Sequence, residues 1–210
     1  MLMATLIGDV VGSRRAGERA TLHDALTELL AEVNDAFAPA TPLRITVGDE
    51  FQGAFATVRD AVRASFRLRL GLLPDQDIRH GLGWGEVSVL QEEPRVEDGP
   101  GWWAARDAIG EVQQAQEHAA GRFRRTAFHR APGLRDPDPD LLGSFLLLRD
   151  AAVGSLSARS VSVLRGLLAG RTQRELADEL GVSPSAVSQR VHGDGLAALV
   201  AADLGIGRMS

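Results

Sequence analysis

"ITVGDEFQG", residues 45–53, decides the fold. Ile45, Thr46 and Val47 favour a strand, Gly48 and Asp49 favour a turn, and the chain becomes apolar again at Phe51, Ala54 and Phe55. This reads as a hairpin with strands at 43–47 and 50–55. Turn chemistry accounts for Gly48 and Asp49 but not for two adjacent acids. Successive strand residues point to opposite faces, so Asp49 is expected to face the neighbouring strand and Glu50 to face solvent.

Outward from the hairpin, residues 3–8 form a short apolar run that suits a central strand. Residues 16–37 carry Leu22, Leu26, Leu29, Leu30, Val33 and Phe37 at helical spacing, and Pro39 and Pro42 end that helix. Residues 57–73 repeat the helical period through Val58, Val62, Phe66 and Leu70. "DIRHGLGWGEVSVL", 77–90, predicts strand, with Gly81, Gly83 and Gly85 alternating along it. Those glycines suit a close approach by another part of the chain better than a phosphate cradle. A helix at 101–120 and an arginine-rich strand at 122–130 complete the unit. Two long helices around a central hairpin predict an α+β, ferredoxin-like or palm sheet over residues 1–130, with helices on one face.

"APGLRDPDPD", 131–140, reads as an exposed connection, so 131–139 is expected to be a linker. Beyond it, 140–210 reads as five short helices. In "TQRELADELGVSPSAVSQRVH", 172–192, Thr172 and Glu175 have capping-box spacing, and Gly181 supplies a turn. Ser183 caps a second helix with Pro184 at its first position. Ala177, Gly181 and Val187 have the spacing of a helix-turn-helix. The second helix would then enter the major groove of duplex DNA. Its outward residues would be Ser183, Ser185, Ser188, Gln189 and His192, with Arg190 reaching a phosphate or a base edge. From residue 155 on there are six arginines against five acids, so the electrostatic drive is weak and a homodimer reading two half-sites is expected. The alternative is a helical scaffold.

Composition narrows the partners. The net charge of −5 gives no globally basic surface, and 44% apolar residues support a real core. There is no cysteine, which excludes thiolate metal sites and is compatible with the cytoplasm. All 23 basic residues are arginine, so lysine chemistry is excluded. No apolar run reaches the roughly 18 residues a membrane span needs, and the N-terminus reads as a buried strand and not a signal peptide.

Asp9 closes the first strand, and a palm topology brings it beside Asp49 at one end of the sheet. Two carboxylates there are candidates for holding Mg²⁺ or Mn²⁺ with a nucleotide, or they only turn the chain. Arg106 would bind a phosphate or pair with Asp107 or Glu111 on its own helix.

"IRHGLGWGEV" (78–87) resembles a strand of class III nucleotidyl cyclases, and "GWWAARDAI" (101–109) resembles the start of one of their helices. With "IGDVVGSR" at 7–14, "GDEFQG" at 48–53 and the helical tail, the chain resembles the SatD family, which implies a cyclase-like palm followed by a helix-turn-helix. Ile45 stands where the resemblance implies a purine-reading lysine, and Trp102 where it implies a transition-state asparagine. Losing one such donor lowers a rate by ~100- to 1000-fold. The pattern suits a degenerate sensing domain better than an enzyme. The expected function is a cytoplasmic, DNA-binding transcriptional regulator. The alternatives are a metal-dependent nucleotide enzyme and a catalytically dead pairing module.

Overall fold

The computed structural model describes residues 1–12 and 19–209. Ser13 and Arg14 of the "IGDVVGSR" motif, and the expected helical start at 16–18, lie outside the described residues.

Strand β1 (Leu2–Val10) is central, and its residues from Met3 to Gly8 are all buried. After helix α1 (Arg19–Phe37), the hairpin β2 (Thr41–Val47) and β3 (Glu50–Phe55) turns at Gly48, whose φ of 65° favours glycine. Helix α2 (Val58–Leu72), strand β4 (Ile78–Glu86), helix α3 (Pro100–Gln116) and strand β7 (Thr126–Arg130) follow, with a small ribbon of β5 (Ser88–Gln91) and β6 (Val96–Asp98) between β4 and α3. The five-stranded sheet has the order β2-β3-β1-β4-β7. β1 is antiparallel to β3 and β4, while β4 and β7 are parallel across the α3 crossover.

Alternate residues of β1 enter different cores. Ala4, Leu6 and Val10 pack with Leu26 and Leu30 of α1 and with Val62 and Leu68 of α2. Met3 and Ile7 pack with Trp102, Ala105 and Ile109 of α3 on the other face. Helices therefore cover both faces, where the sequence pattern suggested one. The β4 glycines explain the second layer. A Cβ at Gly81 would lie 2.1 Å from the Ala105 carbonyl oxygen, and one at Gly83 would lie 2.2 Å from that of Gly101. α3 thus rests directly on strand backbone, and the expected 77–90 strand divides into β4 and β5.

The segment 131–139 starts at buried Ala131 and ends where Asp138 caps α4 (Pro139–Gly154). α4 returns to the palm: Leu142 and Leu146 join the core beneath α1 and α2. Helices α5 (Ala158–Leu168), α6 (Gln173–Leu180), α7 (Pro184–Gly193) and α8 (Leu196–Ile206) enclose a second core. Val161, Leu164, Leu176, Val187 and Leu199 pack there with Phe66 and Leu70 of α2. One helix of the palm is therefore shared by both cores. Among the described residues, no helix is long and apolar enough to cross a membrane.

Candidate functional site

Two places carry candidate chemistry: the end of the sheet where β1 stops, and the α6–α7 corner.

At the sheet end, Asp9 is paired with Arg79 across β1 and β4. The Arg79 Nε and Nη2 groups donate to the two Asp9 oxygens at 2.6 and 3.0 Å, and Gln113 of α3 donates to Asp9 Oδ2 at 3.1 Å. Asp49 reaches the same strand end, because the Val10 N–H donates to its Oδ2 at 3.1 Å. The structure thus brings Asp9 and Asp49 together at one end of the sheet. Glu50 departs from expectation. It follows the Gly8–Phe51 register and so lies across from Asp9, on the face covered by α3. Its carboxylate accepts two hydrogen bonds from Arg106, at 2.7 and 2.9 Å. Arg106 therefore pairs across the sheet, and not with Asp107 or Glu111 on its own helix. That hydrogen bonding holds the Glu50 carboxyl below its ordinary range, with partial burial working against it.

The cluster is therefore three carboxylates and two arginines. Asp9 and Asp49 are suitable donors for Mg²⁺ or Mn²⁺. Arg79 already engages both oxygens of Asp9, so an ion at that carboxylate would have to displace it. Among the described residues, no group of three or more His, Cys, Asp or Glu side chains is arranged to hold a metal. The two replaced positions lie within packed structure: Ile45 packs against the palm core, and Trp102 is 7% exposed among Met3, Ile7 and Val87. Sequence reasoning missed Arg79 as a partner of Asp9. The signal was its place two residues before Gly81, which puts it on the glycine face of β4; its partner follows only from the β1–β4 register.

At the α6–α7 corner, the local chemistry follows the sequence closely. The Glu175 N–H donates to Thr172 Oγ1 at 3.2 Å, and the Thr172 N–H donates to Glu175 Oε2 at 2.7 Å. Gly181 has φ 63° and caps α6, and Ser183 Oγ accepts from the Ala186 N–H at 3.2 Å. Ala177 and Val187 are fully buried where the two helices meet. Ser183, Ser185, Gln189 and His192 are exposed, whereas Ser188 and Arg190 are half-buried. Arg190 leans towards α5, with Nη1 3.5 Å from the Ser157 and Ser160 hydroxyls. Arg174, exposed on α6 beside this corner, was not singled out from the sequence.

A mixed five-stranded palm with a helix-turn-helix after it defines the class. The SatD family model matches residues 3–130, and a helix-turn-helix model matches residues 164–207. The chain belongs to the SatD family. It is similar to solved cyclase structures. One is a bacterial light-regulated adenylyl cyclase, at 14% identity over 61% of this chain and 43% of that one, with a TM-score of 0.46. Another is an adenylate/guanylate cyclase/hydrolase from Silicibacter pomeroyi, at 20% identity over 52% of this chain and 69% of that one, TM-score 0.43. A third is the non-canonical dimeric guanylyl cyclase domain of a RhoGC fusion protein from Blastocladiella emersonii, at 16% identity over 52% and 73%, TM-score 0.42. The chain spans less than half the length of the first of these. No curated protein matches it.

Proposed function

We propose that the protein is a cytoplasmic, homodimeric transcriptional regulator that reads duplex DNA through α7, with the palm as a degenerate sensing domain. The observation that carries this reading is the α6–α7 corner: it is capped at both helices, closed by buried Ala177 and Val187, and exposes Ser185, Gln189 and His192. Polar side chains on an exposed second helix are what base-edge recognition requires. Ser183 and Ser188 flank that surface, and Arg190 reaches a phosphate once it leaves Ser157 and Ser160. Selection from random duplexes at low salt tests the reading. An enriched sequence is expected, with binding that weakens steeply as salt rises. Gln189→Ala should weaken it by roughly 1–3 kcal/mol. Enrichment of nothing over a control without protein overturns DNA binding.

The convergence of Asp9, Asp49 and Arg106 favours a second reading for the palm: binding of a nucleotide with Mg²⁺ or Mn²⁺, without efficient turnover. Asp9 and Asp49 would hold the ion, which supplies charge neutralisation for phosphate oxygens. Arg106 would take a phosphate in place of Glu50. Ile45 and Trp102 supply neither a base-reading nor a transition-state donor, so slow turnover or none is expected. Rapid cyclic-nucleotide formation would instead favour the enzyme reading.

A further inference from the structure

Where α2 ends, the loop entering β7 and the turn between α4 and α5 wall an open cleft of about 620 Å³. Its charged lining is Arg69, Arg122, Arg125 and Asp77, three arginines against one acid in a chain whose net charge is −5. Asp77 is fully engaged. Its Oδ1 accepts from Arg69 Nε at 2.8 Å and from the Ile78 N–H at 2.9 Å, and its Oδ2 accepts from Arg125 Nε at 2.7 Å and from Arg69 Nη2 at 3.2 Å. Behind Arg69, buried Asp150 and Arg149 add one charge of each sign. Four arginines therefore face two aspartates, and the surplus sits on the open side. Arg122 is exposed, and among the described residues it contributes only its carbonyl, which accepts from Arg125 Nη1 at 2.6 Å. Arg125 uses Nε and Nη1, while its Nη2 has no partner among the described residues. Asp75, the next acid along the chain from Asp77, is exposed and lies outside the lining.

We infer that this cleft binds a small phosphomonoester. Charge selects that class. A surplus of two cations matches a phosphate monoester, which carries about −1.5 to −2 at neutral pH. Guanidinium groups pair with phosphate oxygens through two N–H groups at once, and Arg122 and the outward nitrogen of Arg125 can do so without giving up a bond of the fold. A carboxylate would use the same donors but leave one positive charge uncovered. The remaining lining describes the other end of the ester. Leu73, Leu156 and Val161 are apolar, and Phe123, 37% exposed, lines the same cleft. They suit a ring-bearing or apolar group joined to the phosphate. A nucleic-acid backbone offers the same phosphate chemistry, but each of its phosphates carries a single charge. The Arg125 side chain is also only 17% exposed, so its free donor is reached from within the cleft. An occupant would touch the palm through Arg122 and Arg125 and the helical unit through Leu156 and Val161, bracing one against the other. Arg190 of α7 leans on the same helix, α5, beside Ser160. The inference depends neither on DNA binding nor on Asp9 and Asp49.

Calorimetric titration of the full chain with phenyl phosphate tests it, in EDTA so that no metal reaches the Asp9–Asp49 end of the sheet. Phenyl phosphate is expected to bind more tightly than inorganic phosphate or benzoate, and phenol is expected not to bind. Arg122→Ala should weaken phenyl phosphate about tenfold or more, because it removes a charge-assisted contact and no bond of the fold. Phe123→Ala should weaken phenyl phosphate and spare inorganic phosphate. Arg208→Ala, which removes the same charge from an exposed position elsewhere, should change neither. Circular dichroism melting checks that each variant is folded. A wild type that takes up no phenyl phosphate at millimolar concentration overturns the inference. So does binding that is unchanged in folded Arg122→Ala. If Arg122→Ala weakens duplex DNA while phenyl phosphate does not bind, the arginine serves a nucleic-acid backbone and the small ester is ruled out. Failure of the DNA selection with phenyl phosphate binding intact would instead overturn only the DNA reading.

Discussion

Two clusters of arginines and carboxylates lie at the same end of the sheet, on opposite faces. Beneath α4, Asp150 is fully buried and accepts from Arg69 Nη1 at 3.1 Å, from the Arg125 N–H at 2.7 Å and from the Thr126 N–H at 2.6 Å. Asp77 adds bonds from Arg69 and Arg125, and buried Arg149 donates to the Val62 carbonyl and to the Ser65 and Thr126 hydroxyls. On the α3 face, Asp9, Glu50, Arg79 and Arg106 form pairs of similar geometry, but the Arg106 and Glu50 side chains are 53% and 31% exposed. The residue types match; the surroundings differ between sealed Asp150 and the open Arg106–Glu50 pair, while Asp77–Arg125 and Asp9–Arg79 are part-buried alike. A pair sealed from water cannot exchange partners without leaving a buried charge uncompensated. A pair open to water can exchange, because solvent takes over what a partner gives up. The Asp150 contacts are therefore architecture that fastens α4 to the palm, and the Arg106–Glu50 pair is where the proposed ligand would enter.

The largest expected effect breaks the sealed cluster. Asp150→Ala should destabilise the fold by about 3–5 kcal/mol, read from urea denaturation, because Arg69 and two backbone N–H groups lose their acceptor. A loss under about 1 kcal/mol would mean that water reaches this site and that the contrast between the clusters is wrong.

The open cluster should respond to ligand instead. Mg²⁺ or Mn²⁺ with a nucleoside triphosphate should raise the melting temperature, with about 2.7 kcal/mol of added stability at a hundredfold excess over the dissociation constant. Asp9→Asn with Asp49→Asn should abolish the rise. A wild type that shows no shift leaves the acids as turn and strand-end residues.

His80 reports on the sealed side by pH. It is fully buried against the edge of Phe51, with Arg149, Arg69 and Asp77 close enough to act on its charge. Burial, reinforced by the two arginines, lowers its pKa from 6.5 to about 3. Between those values the unfolded chain holds a proton that the folded chain does not. Stability therefore falls as pH drops below 6.5, by about 1.4 kcal/mol per unit, or about 2 kcal/mol by pH 5. His80→Leu should remove that slope. An unchanged slope would place its origin in another group.

The clusters also show what could be read before the structure. Local chemistry was legible wherever a short segment decides it: the Thr172–Glu175 capping box, the Gly181 turn and the hairpin at Gly48 all form. The approach of α3 to Gly81 and Gly83 was legible in kind, because alternating glycines on one strand face have few other uses. The pairing of charges was not. Strand alternation alone points Glu50 outward, but its face depends on the β1–β3 register and on what α3 lays over it. Nothing in the local pattern of the 140–150 helix marks Arg149 and Asp150 as buried. Their burial follows from α4 docking back onto β7 and α2, a long-range contact that no local pattern encodes.

The smallest effect is the one on which ligand exchange depends. Arg106 and Glu50 make two short hydrogen bonds, and in an enclosed site such a pair would be strong. Here both side chains keep contact with water, which screens the attraction and competes for the same donors and acceptors. A double-mutant cycle with Arg106→Ala and Glu50→Ala should therefore give a coupling of only about 0.2–1 kcal/mol. Glu50 has its pKa held below 4.5, chiefly by Arg106. The coupling should be present in full above that ordinary value and fade as pH falls through the lowered one. It should also shrink as salt is added. A weak, salt-sensitive pair leaves Arg106 free to exchange Glu50 for a phosphate at little loss to the fold. A coupling of several kcal/mol, insensitive to salt, would show that the pair is as structural as Asp150 and that the palm's open face is not built to exchange partners.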